Sequence, residues 1–192
     1  MSGYHIGIIA EDESDVAVLK HFASKLTSRR FSVSKFTGKG CGPLKRKTPG
    51  WCKAFLEKGC SAIVLVHDRD RNKEDALRRD LEKIVADLKL QKMMFVVIPC
   101  EELEAWLLSD TKALKSAMNL ASIPKQILHP ETIDSPKEHL SKLVHAHSKL
   151  NSKRYVNSVH NLLIAKALKV TAISQRCPSF RHFESFVSSA MA

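Results

Sequence analysis

Apolar and polar residues follow one another along this chain in two rhythms, one unbroken or of period two, the other of period near 3.6, and each change of rhythm marks an element. Tyr4–Ala10 (YHIGIIA) is a short apolar run rich in β-branched residues, as expected for a central parallel strand covered on both faces. Glu11 follows it directly. Val16, Leu19, Phe22, Ala23 and Leu26 then recur at helical spacing up to about Ser28, with Ser14 and Asp15 as candidate caps. Residues 31–36 alternate as an exposed or edge strand would, and residues 37–50, rich in glycine and lysine, read as a long surface loop. Residues 51–58 predict a helix closed by Gly59, and Ala62–Val66 (AIVLV) reads as the most buried strand.

That strand runs straight into His67-Asp68-Arg69-Asp70. Residues 74–89 carry Leu77, Leu81, Ile84, Val85 and Leu88 on one helical face, residues 94–98 (MFVVI) supply another buried strand before Pro99, and residues 101–108 look helical. Strands alternating with helices imply right-handed crossovers and a mainly parallel sheet, with functional groups at the strands' carboxyl ends. Pro124, Pro130 and Pro136 punctuate the stretch from Leu120 to Lys137, after which only helical patterns appear. Leu140, Leu143, Val144, Leu162, Leu163, Ala167, Phe180, Phe183 and Phe186 need a partner surface, so this tail is expected to pack on the sheet. The predicted organisation is an α/β core over 1–119 and a helical extension over 120–192.

A chain of 192 residues with 44% hydrophobic and 27% charged residues is long enough for one well-buried α/β core with an appendage. No apolar run approaches membrane length, and the acids directly after the first strand are unlike a signal peptide. Cys41, Cys52, Cys60, Cys100 and Cys177 are odd in number and scattered, which points to buried thiols in a reducing, cytoplasmic setting without a membrane partner. The formal charge is +11 and the sequence pI about 9.6. Such a surface favours polyanions, because neutralised phosphates release counterions, but charge alone leaves a nucleic-acid partner undecided.

The acids at the strand ends change that picture. Glu11 ends the first strand, Asp68 and Asp70 end the central one with a spacing of two, and Glu102 and Glu104 follow the next. In a parallel sheet these ends lie side by side, and Asp15, about one helical turn after Glu11, reaches the same place. Two carboxylates about 4 Å apart repel by about 4 kcal/mol at an effective dielectric near 20, so a bare cluster would be unstable or protonated. All-oxygen ligation suits Mg²⁺ or Mn²⁺ rather than zinc, and His145 with His147 makes no convincing metal pair. The competing reading is that each acid caps a helix or pairs with one of the 31 basic residues.

A glutamate after the first strand, an Asp-x-Asp pair after a later buried strand and further acids beyond the next resemble the Toprim fold. With an acid four residues after the first, here Asp15, the arrangement is similar to the nuclease domains of the overcoming-lysogenization-defect (OLD) proteins, which use two metals. Ala10-Glu-Asp-Glu-Ser-Asp15, Val66-His-Asp-Arg-Asp-Arg71, Glu101-Glu-Leu-Glu-Ala-Trp-Leu-Leu-Ser-Asp110, Ser135-Pro-Lys137 and Cys177-Pro-Ser-Phe-Arg181 together resemble a bacterial Toprim-like family catalogued as a domain of unknown function of type 4276. That family is often encoded beside ATPases in presumed defence loci. Asp12 stands where a glycine is common, and Asp15 where a glutamate is common. The resemblance implies a Toprim-like sheet with Glu11, Asp15, Asp68, Asp70, Glu102 and Glu104 as metal ligands, and a separate ATPase subunit as partner; a homo-oligomer stays open.

Two-metal phosphodiester cleavage needs an activated water, a held phosphate and a stabilised leaving oxygen. Lys137, Lys153 and Arg181 are the candidate cations, and Glu11, Asp68, Asp70, Lys137 and Arg181 the candidate catalytic set. Lys39, Lys45, Arg46, Lys47, Lys153 and Arg154 are the candidate nucleic-acid contacts, although residues 37–47 lack the P-loop pattern and read equally well as a solvated loop. Trp106 and Phe180 sit in apolar helical patterns and are expected in the core rather than stacked on bases. His67 abuts the Asp pair and orients a carboxylate or is merely packed. With only Tyr4 and Tyr155 in the chain, no tyrosine nucleophile for strand transfer is evident. The expected function is a Mg²⁺- or Mn²⁺-dependent nuclease; the alternative is a non-catalytic module that binds nucleic acid or an ATPase.

Overall fold

The structure is a computed structural model that describes residues 4–38, 41–68, 74–90, 94–98, 102–149 and 152–190. Four parallel strands, β1 (Tyr4–Ala10), β2 (Phe31–Thr37), β3 (Ala62–Val66) and β4 (Met94–Val97), form one sheet in the order β2-β1-β3-β4. The two continuous apolar runs, β1 and β3, are the central strands, and the alternating run, β2, lies on an edge. β4 is the opposite edge, yet Met94 and Val96 are buried beneath one face and Phe95 stacks on Phe186 on the other. The architecture is the expected α/β class, a parallel sheet flanked by helices and followed by a helical C-terminal segment.

Each face of the sheet has its own core. On one side, α2 (Cys41–Glu57) and α3 (Glu74–Asp87) bury Leu44, Phe55, Leu77 and Leu81 against Ile9, Ile63 and Leu65. On the other, Ile6, Ile8, Val64 and Val66 meet α1 (Glu13–Leu26) and the helices that follow β4. These are α4 (Glu104–Leu107), α5 (Thr111–Met118), α6 (Pro136–His147), α7 (Asn157–Ala167), α8 (Val170–Arg176) and α9 (Pro178–Ala190). Phe22, Trp106, Phe180 and Phe183 form an aromatic cluster among them in which Phe180 meets Phe22 and Trp106 edge to face, with Trp106 and Phe180 fully buried. Both rings are core residues, as their helical pattern predicts.

Three local readings are corrected. Most of residues 37–50 are the first half of α2 rather than a loop: Leu44, Thr48, Cys52 and Phe55 are fully buried at helical spacing, a four-residue stripe that the surrounding glycines, lysines and prolines conceal. Pro49 removes one amide from that helix, and Thr48 bonds locally by donating its hydroxyl to the Leu44 carbonyl at 2.9 Å. The cap of α1 is Asp12, whose extended backbone lets Oδ1 accept from the Ser14 amide at 2.7 Å and the Asp15 amide at 3.2 Å. Helical structure after β4 is one turn, α4, and Asp110 then caps the separate helix α5 through the Lys112 and Ala113 amides.

Gly7 lets α2 reach the sheet. A Cβ at this position would stand 2.3 Å from Phe55 Cδ2, well inside contact distance. Gly7→Ala is therefore expected to destabilise by about 1–3 kcal/mol or more through overpacking, read as a lower urea midpoint with an unchanged slope. An unchanged midpoint would show that α2 can move away from β1 at no cost.

Candidate functional site

The chain runs from β1 out to β2 and then returns past β1 to β3, so its direction reverses between β1 and β3. At such a switch point the crevice beyond the carboxyl ends is open, because the helices leave on opposite faces. Ile9 pairs with Leu65 in this register, and two residues later Glu11 and His67 meet across the crevice. His67, 1% exposed, has Nδ1 3.8 Å from Glu11 Oε1. The same nitrogen donates to the Asp68 carbonyl oxygen at 2.6 Å. The imidazole thus stands between the end of β1 and the end of β3.

A second acidic pair stands over this crevice on the first turn of α1. Asp12 and Asp15 close a reciprocal capping box, in which the Asp12 amide donates to Asp15 Oδ2 at 3.2 Å. Asp15 is nevertheless 7% exposed. Burial, with the carboxylates of Asp12, Glu104 and Glu11 beside it, pushes Asp15 up to about 8 against the lowering effect of its own hydrogen bond. The acids that act on Asp15 come from two separate stretches of chain, residues 11–15 and Glu104.

Glu104, at the start of α4, is buried, and its Oε1 accepts from the Tyr155 hydroxyl at 2.8 Å and from Asn161 Nδ2 at 3.2 Å. The Tyr155 hydroxyl also touches Asn161 Oδ1. Asn161 Nδ2 lies 3.4 Å from Ser14 Oγ, Ser14 Oγ donates to Asp12 Oδ1 at 2.7 Å, and Asn157 Nδ2 donates to Asp12 Oδ2 at 3.2 Å. Burial, followed by Glu104, Asp15 and Glu102, drives the Tyr155 hydroxyl far above its usual range, so it remains a donor at ordinary pH. Glu102 Oε2 accepts from the Lys137 amide at 2.8 Å, capping α6 from outside. Asp12, Tyr155, Asn157 and Asn161 were not among the sequence candidates. The readable signal was a polar Asn161 on the same helical stripe as Ile164, with Tyr155 just ahead of it.

Beside the acids lies an open cavity of about 350 Å³ lined by Glu11, Asp12, Ser14, Thr37, Asn157 and Ser158. The donors around it are oxygens, which suits a hard divalent cation. Among the described residues no three Asp, Glu, His or Cys side chains are already gathered around one point. Asp70 and Lys39 lie outside the described residues.

The candidate cations are dispersed. Lys45 Nζ lies 3.5 Å from Asp80 Oδ2, Lys47 sits over the Trp51 ring, and Arg46 is exposed in the second turn of α2. Because α2 begins just after β2 ends, these three residues stand near the carboxyl edge of the sheet. Lys153 Nζ donates to the Met118 carbonyl, and Arg154 is exposed immediately before Tyr155. Arg181 donates to the Ser174 carbonyl at 2.9 Å and acts on Glu131, which accepts from the Ser179 amide and hydroxyl. Among the described residues Arg181 bonds between α9 and α8, and Lys137 is tied through its backbone amide to Glu102, one of the strand-end acids.

A family model described as Domain of unknown function (DUF4276) matches residues 10–188. No curated protein and no solved structure matches the chain. Among the described residues no helix is long and apolar enough to cross a membrane.

The Asp15 environment has a consequence for stability. Its ordinary value is 3.8 and its folded value about 8, so between these the folded state holds a proton that the unfolded state releases. Without divalent cation this contribution is complete below about pH 3.8 and is lost as pH rises through about 8. Wild type is therefore expected to lose stability relative to Asp15→Asn across that window, measured by denaturation in chelator at several pH values. A constant difference between the two would mean that Asp15 is ionised in the folded protein throughout.

Proposed function

The chain belongs to the DUF4276 family, which takes in residues 10–188 of its 192, and from that premise we propose that it is a Mg²⁺- or Mn²⁺-dependent nuclease cleaving phosphodiester bonds in DNA or RNA. The observation that carries this reading is that Glu104, from beyond β4, acts on Asp15 in the stretch that Glu11 opens, beside the switch point where His67 stands between Glu11 and the Asp68 carbonyl. Glu11, Asp68 and Asp70 are the proposed ligands, with Asp15 and Glu104 completing the set. A divalent cation bound there supplies Lewis-acid activation of water and charge neutralisation at the leaving oxygen. Lys137, whose amide is bonded to Glu102, is the proposed phosphate contact. Lys45, Arg46, Lys47 and Arg154, within a net charge of +11, are proposed to track the backbone. A Toprim-like ancestry, a defence setting and a separate ATPase rest on the sequence resemblance.

A non-catalytic module is the second reading, favoured by the capping roles of Asp12, Asp15 and Glu102. Calorimetric titration with Mn²⁺ and Mg²⁺ on wild type and on Asp68→Ala with Asp70→Ala, followed by incubation with plasmid, single-stranded DNA and tRNA, separates the two. The expected outcome is metal binding lost in the double variant and metal-dependent cleavage lowered by about 100-fold or more. Metal binding without cleavage favours the module, and no binding by wild type removes the metal-site reading. Arg46→Ala with Lys47→Ala is expected to reduce the slope of log K against log salt for nucleic acid by about 2, and an unchanged slope would place the phosphates elsewhere.

A further inference from the structure

We propose that Tyr155 and Asn161 are positioning residues that hold Glu104 by one oxygen and leave its second oxygen to ligate the cation; the inference rests on the metal-site reading above. Both hydrogen bonds fall on the same atom, Glu104 Oε1, and among the described residues Oε2 accepts none. A carboxylate fixed in this way is prepared for monodentate ligation through its other oxygen, with orientation and basicity set by its partners.

The burial of the two donors gives the arrangement its stiffness. Asn161 is fully buried and Tyr155 is 9% exposed, so neither donor can turn to water in exchange for Glu104, and the other acceptor within reach of the Tyr155 hydroxyl, Asn161 Oδ1, belongs to the same network. The same Asn161 amide reaches Ser14, and through it Asp12, while Asn157 one turn earlier holds the other Asp12 oxygen. Helix α7 and the residue two before it therefore grip acids on both α4 and α1. A structural bond satisfying one buried carboxylate would not require a helix that bridges to the second acidic pair. The C-terminal segment thus forms part of the proposed site as well as covering the sheet.

Tyr155→Phe removes the hydroxyl and keeps the ring, and Asn161→Ala removes the amide. Each is to be titrated with Mn²⁺ by calorimetry in the full chain, well below its melting temperature, with the melting temperature measured in parallel. The expected result is a Mn²⁺ affinity about 10- to 100-fold weaker in each variant. Wild-type affinity in both, with only a lowered melting temperature, would overturn the inference and leave the network as scaffolding. Should Tyr155→Phe fail to fold, Asn161→Ala carries the comparison alone. A wild-type chain that binds no Mn²⁺ would instead overturn the metal-site reading, and this inference with it.

Discussion

Carboxylates crowded at the carboxyl ends of β1 and β3, where neighbouring helices limit water, repel one another, and much of the surrounding structure answers that repulsion. Burial adds to that repulsion by disfavouring the charged form, and for Asp15 it is the larger of the two effects. Asp15 responds by holding its proton up to about pH 8. Glu104 is met by two buried donors, Asp12 by two backbone amides, Ser14 and Asn157, and Glu102 by the Lys137 amide.

Those donors come from far along the chain, so the site depends on the core that gathers them. Asn157 and Asn161 reach Asp12 and Ser14 only because α7 packs along α1 on one face of the sheet. Trp106 serves the same end two residues after Glu104. Its ring lies against Phe22, Phe180 and Phe183, and its Nε1 donates to Ser179 Oγ at 2.7 Å, which fixes α4 against α1 and α9 together. The aromatic cluster is thus the hydrophobic support of a polar arrangement beside it.

What was legible in the sequence was what hydrophobic period can encode. β1 and β3 read as buried strands because both faces are covered, β2 as an edge because its residues are only partly buried, and Glu11 and Asp68 follow from where the buried runs stop. α2 was hidden because its buried stripe is sparse and one member, Thr48, is polar and satisfies itself locally. Tyr155 and Asn161 were hidden for a different reason. Their partners lie 51 and 57 residues away at Glu104, and a side chain's partner across that separation leaves no mark on local period. Lys153 and Arg181 looked free by composition, whereas each donates to a backbone carbonyl.

The capping roles of these acids do not account for their number or their burial. A cap stabilises a helix by about 1 kcal/mol and works as well at an exposed end, where the carboxylate keeps its water. Asp12 and Asp15 cap the first turn of α1 reciprocally, yet Asp15 is buried, with Glu104 and Glu11 near enough to raise its proton affinity. Ionising Asp15 beside Asp12, Glu104 and Glu11 would add repulsion, which is why it keeps its proton. A divalent cation reverses the sign of those pairwise terms, turning mutual repulsion into shared attraction to one centre. The burial of Asp15 and Glu104 is thus the feature that helix capping leaves unexplained, and the proposed cation is the reading that would account for it.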